Sequence, residues 1–209
     1  QELSLEVLAR PPATPAARDA LIQFWSRNPG AAAVLAAACR AAGALDVPQL
    51  APQLAEAAFH RDERVRGAAI PALGRLGTEP AVSVLEQVLR STTADSVPTP
   101  SVVLAALGDA SSPRARAVLL TAASHPAWRS EAIAVLTRRP QADALDLYLA
   151  GLDLPEARVR EKCRGALTQL REAAWPRVLS GLDGQSPAVR AQLRLIFTGY
   201  EPAQASALF

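Results

Sequence analysis

Residues Arg61–Leu89, RDERVRGAAIPALGRLGTEPAVSVLEQVL, contain the pattern from which the rest of this chain can be interpreted. The stretch predicts one helix that ends at Leu76-Gly77 and a second helix that begins near Pro80. The same pattern returns at Asp153–Leu182 (DLPEARVREKCRGALTQLREAAWPRVLSGL) and, shortened, at Ser186–Phe197 (SPAVRAQLRLIF). A pattern that recurs with a period of about 30 residues is typical of a solenoid built from helix pairs.

The composition of the 209 residues agrees with an all-α class. Half of the residues are apolar, yet only 4% are aromatic, and alanine is abundant. Alanine is the best intrinsic helix former, and small side chains allow helices to approach closely. The chain has no run of alternating β-branched residues of the kind that a strand requires.

Aligning the predicted second helix of each pair tests the repeat. Taking the last core position of each helix gives residues 42, 73, 107, 136, 167 and 197, so the spacings are 31, 34, 29, 31 and 30. Within each helix the predicted core residues recur every four positions, which places them on one helix face. These predicted core sets are Val34/Ala38/Ala42, Val65/Ala69/Leu73, Val103/Leu107, Trp128/Ala132/Leu136, Val159/Cys163/Leu167 and Val189/Leu193/Phe197.

The repeats divide the chain into a single predicted repeat domain. Thr14 followed by Pro15 predicts the start of the first helix, because Thr caps helices and Pro favours the first helical position. The loop Ser91–Pro100 is the longest polar insertion between helices. We expect an N-terminal cap at 1–13, repeats at 14–43, 47–77, 78–110, 112–139, 140–171 and 172–199, and a tail at 200–209.

The repeated motif resembles a known family. Val65-Arg66, Val159-Arg160 and Val189-Arg190, each with a proline or an acidic residue just upstream, resemble the second-helix signature of HEAT repeats. The segment Ala72–Leu85 (ALGRLGTEPAVSVL) is similar to the subtype first noted in phycobilin lyases. The resemblance implies an all-α fold, a right-handed α-α superhelix of about six helix pairs. The segment HPAWRSEAIAVLTRRPQADALDLYLAGL is similar to HEAT segments of large bacterial secreted proteins.

The resemblance also implies a structural role for the arginine that recurs in the second helices. In HEAT repeats this position joins an Asp–Arg ladder between neighbouring repeats, so the acids upstream, Asp62, Glu63 and Glu156, are the expected partners. The predicted ladder residues are Arg66, Arg129, Arg160 and Arg190.

A second group of cations lies between the predicted core positions of the C-terminal repeats. By analogy with HEAT repeats the second helices line a concave face, where these side chains would form a basic, partner-binding groove. The alternative is a solvated helix face that Glu156 and Glu161 neutralise. The seven residues are Arg138, Arg139, Arg158, Lys162, Arg164, Arg171 and Arg194.

The charge distribution indicates which partners fit this groove. The formal net charge is +2, but residues 1–109 carry 9 Arg and 11 acids (9 − 11 = −2), whereas residues 110–209 carry 13 Arg and Lys and 9 acids (13 − 9 = +4). This excess is far below the dense basic stripe of a dedicated nucleic-acid binder. We therefore expect a protein partner with an acidic surface, and a chain that is a subunit of a larger assembly.

Catalytic and cofactor motifs are not found. His60 and His125 fall in turns two repeats apart, and neither has a second ligand at HExxH or CxxC spacing. The sequence has no GxSxG elbow and no phosphate-binding loop. The three tryptophans, Trp25, Trp128 and Trp175, are predicted to pack in the core. We expect a non-enzymatic scaffold without catalytic residues, metal or cofactor.

Two alternatives to a scaffold remain open at this point. One is a HEAT-like enzyme, of the bilin lyase or alkyl-base DNA glycosylase type; the glycosylase would need two exposed tryptophans facing an acid in a basic groove. The other is a spacer segment of a larger multidomain secreted protein. The repeat pattern itself does not distinguish them.

The cysteines, the hydropathy and the N-terminus bear on the cellular location of the protein. Cys39 and Cys163 lie four repeats apart, too far for a disulfide, and both are expected to be small core residues. No run of 18 apolar residues predicts a membrane span. The sequence starts at Gln1 and contains no Met, so we expect either a trimmed N-terminus or a removed signal peptide. A periplasmic and a cytoplasmic location both fit.

Overall fold

The computed structural model describes residues 14–27, 30–92, 99–181 and 184–198. These residues form twelve α-helices and no β-strand, which confirms the all-α class. The Cα positions cluster into two compact units, residues 1–118 and 119–209, which are described separately below. The predicted cap, the predicted tail and most of the loop Ser91–Pro100 lie outside the described residues. The single repeat domain stays a prediction.

The first unit is built from alternating helices that form two layers. The first-layer helices are α1, α3 and α5, and the second-layer helices are α2, α4 and α6; α4 packs against both α2 and α6, and α3 packs against α5. Their bounds are α1 Pro15–Ser26, α2 Ala32–Ala44, α3 Ala51–Ala58, α4 Glu63–Leu76, α5 Glu79–Ser91 and α6 Pro100–Asp109, with a 3₁₀ helix at Pro48–Leu50 before α3. Helix α7, Pro113–Ala122, contains the division between the two units.

Glycine and alanine allow the second-layer helices of this unit to lie very close together. A Cβ atom placed on Gly43 of α2 would lie 2.7 Å from the Cα of Ala72 in α4. A Cβ on Gly74 of α4 would lie 2.5 Å from the carbonyl oxygen of Ala106 in α6. No side chain fits at these distances, so glycine at these two positions sets the spacing of the layer.

Short polar side chains and glycine set where these helices begin and end. Thr14 Oγ1 accepts a hydrogen bond from Ala17 N, and Thr78 Oγ1 accepts one from Ala81 N. Asp62 Oδ1 accepts from Arg64 N at 2.9 Å and caps α4. Gly77 ends α4 in the left-handed conformation with φ 57°, which favours glycine because it has no Cβ. The predicted boundaries at Thr14 and Leu76-Gly77 are confirmed.

The second unit repeats the alternation of layers. In its second layer α10 packs against α8 and α12, and α9 packs against both α8 and α10. The hydroxyl of the fully buried Tyr148 in α9 donates to the carbonyl oxygen of Leu136 at 3.1 Å. The bounds are α8 Arg129–Leu136, α9 Leu145–Gly151, α10 Ala157–Gln169, α11 Arg171–Gly181 and α12 Pro187–Phe197, with a 3₁₀ helix at Ala142–Ala144 before α9.

Most of the predicted core positions are buried, and two are not. All three positions of α4, α10 and α12, both positions of α6, and two in each of α2 and α8 are buried. Val34, in the first turn of α2, is half-exposed. Trp128 is also half-exposed, because α8 begins one residue later, at Arg129, and Trp128 lies in the preceding turn. The prediction of Trp128 as a core residue was wrong.

The other two tryptophans differ from each other. Trp175 in α11 is buried and its ring centroid lies 5.0 Å from that of Phe197 in α12, as expected for a core residue. Trp25 in α1 is half-buried, and its indole N–H has no hydrogen-bond partner in the described residues. Pro71 lies inside α4, which continues through it to Leu76.

Candidate basic surface of the second unit

The seven cations predicted to bind a partner all lie in the second unit, but not all on second-layer helices. Arg158, Lys162 and Arg164 lie on α10, and Arg194 lies on α12. Arg138 and Arg139 lie in the turn that follows α8. Arg171, by contrast, is the first residue of the first-layer helix α11. Arg138, Arg139, Arg158 and Arg194 are exposed, and the other three are half-buried.

The charges of Arg138 and Arg158 both act on Lys162. Arg158 and Lys162 are four residues apart on α10, so their side chains lie on the same helix face. Burial lowers the pKa of the Lys162 ammonium, and the charges of Arg158 and Arg138 lower it further. A like charge lowers the pKa of a lysine because it disfavours the protonated form, so both guanidinium groups act on Lys162.

The two acids on or next to α10, Glu161 and Glu156, have partners of their own. Arg164 forms an ion pair with Glu161, one turn earlier on α10. Glu156 Oε1 accepts a hydrogen bond from Ser130 Oγ at 3.2 Å, which joins the start of α10 to the start of α8. Arg164 is therefore a neutralised cation, as in the solvated-face alternative, whereas Arg158 and Lys162 face other cations.

Two of the recurring arginines, Arg66 and Arg160, donate hydrogen bonds to the turn that precedes their own helix. Arg66 Nη1 donates to the carbonyl oxygens of His60 and Arg61, at 2.7 and 2.8 Å. Arg160 Nη1 donates to those of Leu154 and Pro155, at 2.7 and 2.6 Å. Each arginine thus binds carbonyls five and six residues earlier and closes the turn that leads into its helix.

Two of the four predicted ladder residues share this contact. No hydrogen bond of this kind is found at Arg129 and Arg190 within the described ranges. The acid Asp62 pairs with Arg64 instead, at 3.0 Å, and hydrogen bonds from Arg64 hold the pKa of the Asp62 carboxyl below its usual value. A ladder that joins neighbouring repeats through Arg66, Arg129, Arg160 and Arg190 stays a prediction.

Contacts between neighbouring repeats are found on the first-layer helices. In the first unit Arg114 of α7 lies 3.3 Å from a carboxylate oxygen of Glu86 in α5, and Ser112 donates to Glu79 at 3.0 Å. In the second unit the Nε and Nη2 atoms of Arg177 donate to the carboxylate oxygens of Asp146, at 2.6 and 2.7 Å. These pairs were missed in the sequence, although Asp146 and Arg177 are 31 residues apart, which is one repeat.

The Asp146–Arg177 pair lies in an open cleft of about 430 Å³ between α9 and α11. Its hydrogen bonds lower the pKa of Asp146 and raise that of Arg177. Three small residues, Ala142, Ala173 and Ser180, also line this cleft. The charges of Asp146 and Arg177 therefore neutralise each other within the cleft.

The remaining candidate residues are two histidines and two cysteines. His60 Nδ1 accepts from the backbone N–H of Asp62 at 3.0 Å, and the exposed His125 stacks on Trp128 with ring centroids 4.3 Å apart. Cys39 and Cys163 are free and buried, and burial raises the pKa of each thiol to about 12. Among the described residues no group of three or more His, Cys, Asp or Glu could hold a metal ion.

Exposed or half-buried arginine and lysine side chains attract negative charge and speed its approach. The described helices include none that is long and apolar enough to cross a membrane.

Comparisons with known proteins agree with the repeat architecture. Residues 18–102 match the family of HEAT repeats, so this stretch contains HEAT repeats and the resemblance seen in the sequence is confirmed there. The sequence has no match among curated proteins.

Similarity to one solved structure concerns the fold. The chain is similar to a chain in the complex of CpcE and CpcF of phycocyanin lyase from Nostoc sp. PCC7120, with 19% identity and a TM-score of 0.52, over 94% of this chain and 88% of that chain. Human deoxyhypusine hydroxylase in complex with glycerol matches at 16% identity over 99% of this chain and 85% of that chain, with a TM-score of 0.33. At 19% identity the first likeness shows a shared HEAT-like fold and nothing further.

Proposed function

We propose that this HEAT-repeat protein is a non-enzymatic scaffold that binds an acidic protein partner through the basic surface of its second unit. The basic surface comprises Arg138, Arg139, Arg158, Lys162, Arg164, Arg171 and Arg194. The observation that carries the proposal is that Arg158 and Lys162 lie four residues apart on one face of α10, a helix that packs against α8.

The repeat architecture supports a binding role in general. Stacked helix pairs present an extended surface that is formed before the partner arrives, so little conformational entropy is lost on binding. The similar chain named above is part of a complex of two proteins, CpcE and CpcF. A helical-repeat fold of this kind is thus compatible with a protein partner, and we propose one for this chain.

The charge of the surface supports an acidic partner. Arg158 and Arg138 are exposed, and Lys162 is half-buried beside them. Charged groups outside the buried centre of an interface act mainly on the association rate and on its salt dependence. Partner binding should therefore weaken as the salt concentration rises.

An enzyme of HEAT-like build remains the second candidate, but less supports it. The described part of the second unit has one half-exposed tryptophan, Trp128, and one buried tryptophan, Trp175. The two exposed tryptophans that a glycosylase groove requires are therefore not found in that unit. The spacer role is the outcome to be expected if no partner binds.

The test is an affinity capture from the native lysate with matched charge variants. The wild type is compared with a triple variant Arg158→Glu, Lys162→Glu and Arg164→Glu. The control is Arg27→Glu, Arg61→Glu and Arg75→Glu, three exposed positions of the first unit with the same change of charge. Circular dichroism first establishes that all three proteins fold.

The expected result is a protein that the wild type and the control hold and the second-unit variant loses. Equal capture by all three would show that the basic surface is not needed for binding, and the partner would then bind another face. Loss with both variants would indicate attraction by net charge alone, without a defined surface. The absence of any captured protein would favour a spacer.

A further inference from the structure

Helix α12 has an exposed row of apolar side chains. Leu195 is 61% exposed, more than Phe59 and Leu179, the other exposed large apolar residues of the described chain. Ala188 and Ala191 are exposed as well, and they precede Leu195 by seven and four residues, so the three share one helix face. Single exposed apolar residues are normal on protein surfaces, but this apolar row extends over about 10 Å of helix.

The corresponding face of the neighbouring helix α10 is charged instead. The buried positions of the two helices are offset by 30 residues, since Val159 matches Val189 and Leu167 matches Phe197. Because equivalent positions face the core in both helices, equivalent exposed positions also point to the same side. The matched exposed or half-buried pairs are Arg158 with Ala188, Glu161 with Ala191, Lys162 with Gln192 and Gly165 with Leu195.

The apolar row and the charged face lie side by side, because α10 packs against α12. On α10, Glu161 forms an ion pair with Arg164, so the net positive charge of this face comes from Arg158 and Lys162. Helix α12 itself contains no acidic residue. The second layer of this unit therefore presents an apolar row beside positive charge.

We propose that this surface binds an amphipathic helix of the acidic partner. The apolar side chains of the partner helix pack on Ala188, Ala191 and Leu195, and its carboxylates lie beside Arg158 and Lys162. The proposal rests on the proposed function, because it names the kind of partner segment that the basic surface recognises. One helix can contact both features, since packed helices such as α10 and α12 have axes only about 8–10 Å apart.

The spacing of the apolar row favours a helix as the bound segment. Its residues recur at intervals of three and four, which are also the intervals at which an amphipathic helix repeats its apolar side chains, so the two can pack along their length. Burial of the apolar row contributes affinity. The charges beside it speed association and fix the orientation of the partner helix, because acidic residues must lie on the flank that faces α10.

The experiment measures peptide binding to the full chain by isothermal titration calorimetry at physiological salt concentration. The first probe is a synthetic helical peptide of leucine, alanine and glutamate with its leucines on one face. The second has lysine in place of glutamate, and the third has the composition of the first in a scrambled order that disperses the leucines. The variants are Leu195→Ala, Leu195→Met and Lys162→Gln. The control is Leu179→Ala, which removes a 38% exposed leucine from the first-layer helix α11 of the same unit.

We expect the glutamate peptide to bind the wild type and Leu179→Ala equally. It should bind Leu195→Ala about tenfold more weakly, because this change removes the largest side chain of the apolar row. Leu195→Met should bind nearly as the wild type does, since it keeps the apolar area. Lys162→Gln should weaken binding by about threefold and reduce its salt dependence. Circular dichroism melts of Leu195→Ala and the wild type should coincide, because the side chain is exposed.

The other outcomes would each overturn the proposal in a different way. Equal binding of the lysine peptide would mean that charge plays no part, and equal binding of the scrambled peptide would mean that no amphipathic helix is recognised. If Lys162→Gln weakens binding and Leu195→Ala does not, the apolar row is wrong, and an acidic partner remains. A dimer of the free chain that Leu195→Ala dissociates in analytical ultracentrifugation would make a second copy the occupant. If no peptide binds, the helix-binding surface is wrong, and the capture experiment decides the proposed function independently.

Discussion

Helices α4 and α10 carry the same motif and use it differently. Both are second-layer helices with the same core spacing, and both have an arginine, Arg66 or Arg160, that binds the carbonyls of the preceding turn. Yet eight of the 14 residues of α4 are buried, against four of the 13 residues of α10. Neighbouring helices cover more of the surface of α4, whereas α10 has an exposed, charged face.

Side-chain size at the helix contacts accounts for much of this difference. In α4, small residues such as Ala69, Ala72 and Gly74 allow α2 and α6 to approach until backbone atoms limit the distance. The positions of α10 that correspond to Gly67, Ala68 and Ile70 of α4 hold charged residues, which keep their charged ends at the surface; they are Glu161, Lys162 and Arg164. One repeat pattern thus builds a packing helix in the first unit and a charged, exposed helix in the second.

The largest effects are expected where both helices are buried to the same degree. Leu73→Ala and Leu167→Ala each remove a fully buried side chain from the core, so each should lower the free energy of unfolding by about 2–5 kcal/mol. Urea denaturation followed by circular dichroism measures the change. If α4 is the more closely packed helix, the loss for Leu73→Ala should lie toward the upper end of this range, because the residues around Leu73 can move less to fill the cavity.

The matched control is Leu195→Ala on α12, whose side chain is 61% exposed. It should change the free energy of unfolding by less than about 0.5 kcal/mol. A loss at Leu195 as large as that at Leu167 would mean that the core face of the second unit is assigned to the wrong side of its helices.

Glycine substitutions separate close packing from helix propensity. Gly74→Ala would bring a Cβ to 2.5 Å from the carbonyl oxygen of Ala106, so α4 and α6 must move apart, at a cost of about 1–3 kcal/mol. A gain of about 1 kcal/mol in helix propensity offsets part of this cost. We expect a net loss of stability at Gly74, measured by thermal unfolding.

Two further glycines serve as controls because a Cβ there meets no atom within 4 Å: Gly67 in α4 and Gly165 in α10. Gly67→Ala and Gly165→Ala should each raise stability by about 0.5–1 kcal/mol. Stabilisation by Gly74→Ala as well would show that the layer is not limited by backbone contact, and the contrast between α4 and α10 would need another cause.

The arginines that close the turns should matter equally in both helices. Arg66→Gln and Arg160→Gln each remove two hydrogen bonds to backbone carbonyls, so each should cost about 1 kcal/mol. Arg64→Gln is the control, since the Arg64 side chain is 71% exposed and its ion pair with Asp62 contributes little. Urea denaturation at neutral pH gives the three values. Equal effects at Arg64 and Arg66 would remove the turn contact as the reason for the recurring arginine.

The sequence predicted the helix pairs well because capping and periodicity are local. Thr14, Asp62 and Gly77 mark helix ends through bonds to residues within four positions, and apolar residues every four positions mark a buried face. Trp128 was misplaced because the repeat alignment assumed that every second helix starts at the same position. The turn before α8 extends through Trp128, so the indole lies outside the helix and stacks on His125.

The arrangement of the candidate basic surface could be predicted only in part, for reasons that are also physical. The seven cations could be found from sequence, but not which of them converge, because that depends on the angle between α8 and α10 and on the length of each side chain. Arg164 pairs with Glu161 one turn away, whereas the charges of Arg158 and Arg138 act on Lys162. The ion pairs on the first-layer helices were not predicted, because the recurring Val-Arg motif marks only the second helices.

The smallest expected effect concerns one of those pairs. Asp146→Asn removes the exposed contact with Arg177, so the melting temperature at neutral pH should fall slightly, by less than for any change above. The pKa of Asp146 is lowered in the folded state from 3.8, so its contribution is fully present above that pH and is lost as the pH falls through the lowered value. The difference between the wild type and Asp146→Asn, measured by scanning calorimetry, should therefore be present at about pH 6 and shrink toward zero in strong acid. A difference that stays constant down to about pH 2 would mean that the asparagine side chain disturbs the packing of α9 against its neighbours, and the first-layer pair would then have no electrostatic role.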